Sequence, residues 1–251
     1  MSLSPEASPA APAAPAPSLF GRMAAVFVRP SAAWAGLEDR VQWWFPVLLV
    51  ALVNGAMMLP LYQRAYLPTY YDQLDSQIAS GALEPAQAER AQQIMESPMM
   101  APIVAGTAAV GSVLVTMGIA LLAWFGVSFV LGARFRYRLA LEVCAWAGLV
   151  WIPQHLAFFA LAWSQETMKG IHFGLAAFLP DADPPSKWHS FGAVLLDTVG
   201  PFNVWFVAIA ALGCAALSGA PRRSIAWVLG SLTLALGLVS AVLTAWLAPA
   251  S

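Results

Sequence analysis

Hydrophobic residues gather into five long apolar stretches, near residues 42–62, 99–132, 138–163, 192–217 and 224–248, parted by polar loops. A bilayer core about 30 Å thick takes roughly 20 mostly apolar residues in helical form, and each stretch reaches that length. Lipid offers backbone donors and acceptors no water, so a lone spanning segment must pair them within itself, as a helix does. Packed as a soluble domain, these helices would have almost no polar faces. The pattern therefore predicts an all-α fold, a polytopic membrane bundle of five transmembrane helices filling residues 41–248.

Shorter patterns flank and interrupt the spans. Between Ser18 and Arg40, the residues Phe20, Met23, Phe27, Trp34 and Leu37 share one apolar face, and Arg22 and Arg29 stand off it. Pro30 suits a first helical turn but not a helix interior. Residues 18–40 therefore read as two short amphipathic helices hinged at Arg29–Pro30, either lying in the membrane interface or packed on the bundle. Residues 64–98 form the one sizeable polar insert, expected as a solvated helical hairpin. One helix carries Asp72, Leu74, Ile78 and Leu83, Pro85 restarts a second over Ala86–Glu96, and Ser97–Pro98 ends it. Residues 1–17 are alanine, proline and serine with one charge, Glu6. That composition favours a disordered, extended tail, and it lacks the basic and apolar regions of a signal peptide.

Composition sharpens the membrane reading: 60% of residues are hydrophobic and 10% charged, against about 25% charged in ordinary soluble domains. The net charge of -1 gives no reason to expect a nucleic-acid partner. Lysine and arginine are distributed unevenly among the loops, and their bias sets orientation. With the amino terminus inside, the inner segments hold Arg22, Arg29, Arg40, Arg134, Arg136, Arg138, Arg222 and Arg223. The outer ones hold Arg64, Arg90, Lys169 and Lys187. The chain is thus expected to be a multi-pass protein of the cell (inner or plasma) membrane, with its amino terminus cytoplasmic and Ser251 outside. Its expected partners are the lipid bilayer and a protein partner or second copy held through the membrane helices. Gly106, Gly111, Gly118, Gly126 and Gly132 in the second stretch supply small positions for close helix approach.

Several short motifs follow one another in a known order. The opening Phe27-Val-Arg-Pro-Ser-Ala-Ala-Trp34 and the aromatic, proline-containing Trp43-Trp-Phe-Pro46 precede the acidic insert and the glycine-rich second span. Arg134-Phe-Arg-Tyr-Arg-Leu-Ala-Leu141 leads into the third span with its Trp151-Ile-Pro153. Gly174-Leu-Ala-Ala-Phe-Leu-Pro-Asp181 and Asp197…Phe202-Asn-Val-Trp205 come last. Over roughly residues 18–248 this order resembles bacterial Yip1-domain proteins. The family's compact Asp-x-Phe is stretched here to Asp197-Thr-Val-Gly-Pro-Phe202. The resemblance implies five spans with a cytoplasmic amino terminus. For eukaryotic relatives it implies an adaptor role in vesicle traffic with small GTPases, a pathway that bacteria lack. The tight basic loops and alanine-rich composition look bacterial.

Polar side chains inside spans are costly and so mark candidate sites. Glu142 lies one helical turn after Arg138, a spacing that permits an ion pair and makes it either an anchor for the helix end or a functional acid. Gln154 and His155 follow Pro153, which frees a backbone carbonyl. Interhelical hydrogen bonds and a ligand or proton-relay role both fit them. Asp197, with Gly200-Pro201 and Asn203 behind it, fits either a cation site at a broken helix or a cap in the wet interface with the span starting near Phe202. A partnership of Asp197 with Lys187 or His189 stays open. Cys144 and Cys214 offer neither a disulfide framework nor a metal-ligand pair.

No zinc helix, nucleophile elbow or phosphate-cradling loop appears. His155, His172 and His189 stand in separate elements. Neither enzyme activity, metal nor cofactor is expected. The leading functional expectation is a non-catalytic adaptor, scaffold or membrane organiser whose partner face includes Phe27, Pro30 and Trp34. The alternative is a small transporter or channel with a polar path near Gln154, His155, Asp197 and Asn203.

Overall fold

The computed structural model describes residues 17–180, 182 and 186–247. The tail expected over 1–17 lies outside the described residues except for Pro17, as do Asp181 of the loop motif and the last residue of the fifth stretch. Five helices are long and apolar enough to cross a membrane. At most 44% of any of their apolar windows is buried inside the bundle. Leu52 on the first, Leu114 on the second and Val242 on the fifth are all more than half exposed. So much outward apolar surface is stable only against hydrocarbon, and the chain is a multi-pass membrane protein.

Helix α1 spans Leu19–Val28, capped by the Ser18 side chain on Gly21 N–H. Only one 3-10 turn, Pro30–Ala32, follows it, where the second of two helices was expected. Arg29 before the proline is non-helical, as the pyrrolidine ring requires of its predecessor, and Gly36 at φ 72° turns the chain away. The helix packs on the third span rather than standing apart. It buries Arg22 and Val26 while Phe20 is 69% and Val28 76% exposed. The face read from the sequence holds in part: Trp34 and Leu37 are buried and Met23 packs on the core, but Arg22 points in with them and Phe20 points out.

The first span begins at Trp44 but does not end near residue 62. Helix α2 runs unbroken over Trp44–Ala79, so the first arm of the insert is its continuation and not half of a separate hairpin. A π-turn at Tyr62–Tyr66 lies between Pro60 and Pro68, where the regular ladder lacks two N–H groups. Helix α3, Pro85–Met95, starts with its proline in the first turn. Helix α4 covers Met100–Val130, 31 residues, and stops where Gly132 takes φ 66°.

Helix α5, Tyr137–Gln165, is the central rod; every residue from Leu139 to Val150 is buried. It tightens to a 3-10 turn at Gly148–Val150, directly before Pro153, where the ordinary ladder would have needed the missing N–H. The expected fourth span at 192–217 is in fact two helices, α6 (Lys187–Asp197) and α7 (Pro201–Ser218). Pro201 occupies the first turn of α7 and Gly200 before it is extended, so the ladder cannot pass. Helix α8, Arg222–Leu247, completes the bundle. Arg40, Arg134, Arg136, Arg222 and Arg223 mark one end, called the basic end below; the acidic insert marks the other.

Candidate functional site

At the basic end a buried knot of charge holds the chain that leads into α2. Arg22 and Glu142 are both 0% exposed. Arg22 Nε donates to Gln42 Oε1 (3.1 Å), its Nη2 to Ala35 O (2.9 Å) and its Nη1 to Ala33 O. The guanidinium also lies 5.7 Å from the centroid of the Trp146 ring, a cation–π distance. Burial pushes the Arg22 pKa below its usual range, with the charge of Glu142 pulling the other way. Arginine stays charged regardless.

Glu142 Oε1 accepts from Gln42 N–H at 2.7 Å and faces the Trp43 amide. It therefore caps the start of α2, where unpaired N–H groups and the helix dipole favour a carboxylate. Arg138 Nη1 stands 4.0 Å from the same oxygen, the spacing the sequence allowed. Arg138 spends its shorter bonds on carbonyls, Leu37 O at 3.2 Å and Arg40 O at 3.1 Å. Glu142 Oε2 and the indole N–H groups of Trp34 and Trp146 have no hydrogen-bond partner among the described residues.

The motif residues Phe27, Pro30 and Trp34 sit beside this knot, and most of their surface is already used. Trp34 is 2% exposed. A Cβ on Gly213 of α7 would lie 3.0 Å from its ring, so glycine is what lets the indole seat there. The Phe27 ring packs edge-on against Trp205 at 5.6 Å and keeps 38% exposure. Pro30 is half-buried. Trp34 as a partner-facing residue is corrected by this burial: it joins the segment to the bundle.

At the opposite end, Asp197 folds a loop. Its Oδ1 accepts from Gly174 N–H (2.8 Å) and Phe173 N–H (3.1 Å), and its Oδ2 lies 3.9 Å from His172 Nδ1. A Cβ at Gly174 would stand 2.6 Å from Asp197 Cα; the clasp needs glycine there. Asn203 Nδ2 reaches back to Thr198 O (3.1 Å) and Asp197 O (3.4 Å), satisfying carbonyls freed where α6 ends. The histidine partner is therefore His172, from a loop the sequence did not connect to it, and not His189 or Lys187.

The four residues of the transport alternative do not converge. Asn203 lines a cavity of about 210 Å³ among α4, α5, α7 and α8. His155 lines a separate space of about 30 Å³ against Asn54 and Leu61 of α2. Asp197 is engaged with its loop, and no hydrogen bond joins Gln154 or His155 to another described side chain. Asn54 was missed by the sequence reading: its Nδ2 donates to Ser112 Oγ (2.8 Å) and Ala108 O (3.2 Å), stitching α2 to α4. An asparagine in mid-span was itself the signal. Arg22 was missed as well: it was set off the apolar face, and its carbonyl partners at Ala33 and Ala35 lie beyond the hinge at Pro30. Cys144 and Cys214 are free and buried.

In comparisons with known proteins, residues 24–244 match the model of the Yip1 domain. No curated protein and no solved structure matches the chain.

Proposed function

The chain belongs to the Yip1 domain family, and from that premise we propose that it is a non-catalytic adaptor or scaffold of the membrane, with its basic end in the cytoplasm. The observation that carries this reading is the buried Arg22–Gln42–Glu142 knot. Through it, the amino-terminal segment, helix α5 and the start of α2 are held as one body. Exposed Arg40, Arg134, Arg136, Arg222 and Arg223 then form a fixed basic face. Such a surface suits recruitment of an acidic protein segment, because rigid presentation lowers the ordering cost of binding. The excess of arginine in the tight loops supports the orientation.

The test replaces Arg134, Arg136, Arg222 and Arg223 with glutamine and compares cross-linked partners in native membranes. A chain that captures partners through this face loses them on the variant while still inserting with the same cysteine accessibility. An identical set of captured chains would remove the reading.

A further inference from the structure

The cavity among α4, α5, α7 and α8 has a shape that the adaptor reading does not use. Close contact between α4 and α8 is made near the basic end, where a Cβ on Gly126 would meet Val228 Cγ1 at 2.7 Å and Leu232 Cδ1 at 2.8 Å. Away from that contact the two helices part, and the cavity of about 210 Å³ opens between them. Leu236 (43% exposed) and Ser240 of its lining are both exposed, so the cavity reaches the outer surface of α8.

Its lining changes character along its length. Leu229, Ala123 and Cys144 lie toward the basic end and Thr198, Asn203 and Ser240 toward the other; Thr233 between them spends its hydroxyl proton on Leu229 O (2.9 Å). That polar end adjoins the Asp197–His172 clasp, where the chain returns to water. Along α8 the lining runs from Leu229 to Ser240, about 16 Å at 1.5 Å per residue. One leaflet of a hydrocarbon core is about 15 Å deep. Apolar cavities of about 150 Å³ stay dry and take up small hydrocarbons.

We propose that this cleft binds one acyl chain of a membrane phospholipid, from the leaflet on the side of the acidic insert. Its ester end sits beside Asn203 and Thr198, and its methyl end lies against Leu229 and Ala123. The occupant follows from continuity: the cleft opens onto the lipid-facing surface, its depth matches one leaflet, and its polarity runs in the same direction as that of a lipid. This inference stands independently of the adaptor reading, since it concerns a different end and face of the bundle.

The experiment reconstitutes the full chain in vesicles of phosphatidylethanolamine and phosphatidylglycerol containing a phospholipid with a diazirine near one acyl terminus. After illumination, adducts are mapped by mass spectrometry. Adducts are expected on the buried residues Leu229 and Ala123 as well as on outward Leu238 and Val239. Ala210→Phe, which fills the cavity from α7, should lower the buried adducts several-fold and leave the outward ones unchanged. Thr233→Leu is a milder filler for the case in which the phenylalanine prevents folding. Adducts confined to outward positions, or buried adducts indifferent to both fillers, would overturn the proposal. A cross-linked dimer in place of lipid adducts would overturn it in favour of a second copy.

Discussion

At the basic end of the bundle Arg22 and Glu142 are wholly buried and hold the chain entering α2. At the opposite end the Asp197 side chain is 40% exposed and holds only the loop around Phe173 and Gly174. Both knots use a carboxylate to gather backbone N–H groups, yet they carry different burdens. The buried one must keep two charges of opposite sign together, since either alone would be stranded in a medium that solvates neither. The exposed one borrows water for whatever its partners leave unsatisfied. Position, more than residue type, decides which knot the fold depends on.

Removing one partner from the buried knot is the severest way to break that contrast. Glu142→Ala should destabilise the chain by about 3–5 kcal/mol, the usual cost of leaving a buried charge uncompensated. It should also loosen residues 30–43, read as faster amide exchange there. Stability equal to wild type in a denaturant titration would show that the knot carries no such load. At the other end, Asp197→Ala is expected to cost about 1–3 kcal/mol, the range for stranding hydrogen-bond donors. Exchange should rise at Phe173 and Gly174 while residues 30–43 stay protected. Coupled changes at both ends would refute their independence.

The smallest effect belongs to Arg64, which donates to Trp163 O (2.9 Å), pairs with Glu166 (2.9 Å) and lies over the Trp163 ring at 4.5 Å. Both charged side chains are well exposed, 41% and 63%. Arg64→Ala should therefore cost under about 1 kcal/mol, as for surface pairs. A loss as large as that of Glu142→Ala would mean that exposure is a poor guide in this bundle.

The number of spans and the presence of a polar insert were legible in the sequence, and a start of the fourth span near Phe202 stood there as one of two alternatives. Segment length and the Gly200-Pro201 pair act locally, and local rules suffice for them. Glu142 was legible too, because Arg138 stands one turn away on the same helix. What could not be read was any pairing across distant elements: Glu142 with Gln42, Asp197 with His172, Asn54 with Ser112. Each depends on which helices become neighbours, and no local spacing encodes that. Arg22 failed for a different reason. Most of the apolar face was right, but the carbonyls of Ala33 and Ala35 that draw Arg22 inward come from the chain beyond the Pro30 hinge, where helical periodicity has no reach. The continuation of α2 past residue 62 was hidden by a drop in hydrophobicity, which marks a change of surroundings and not the end of a helix.

That uninterrupted α2 has a mechanical corollary. Its first turn is seated on Glu142 and its last turns reach into the acidic insert, with the π-turn at Tyr62–Tyr66 as the one departure from regular winding. One continuous helix therefore ties the position of the acidic insert to that of the carboxylate-capped start beside the arginines, with no loop between them to take up a displacement.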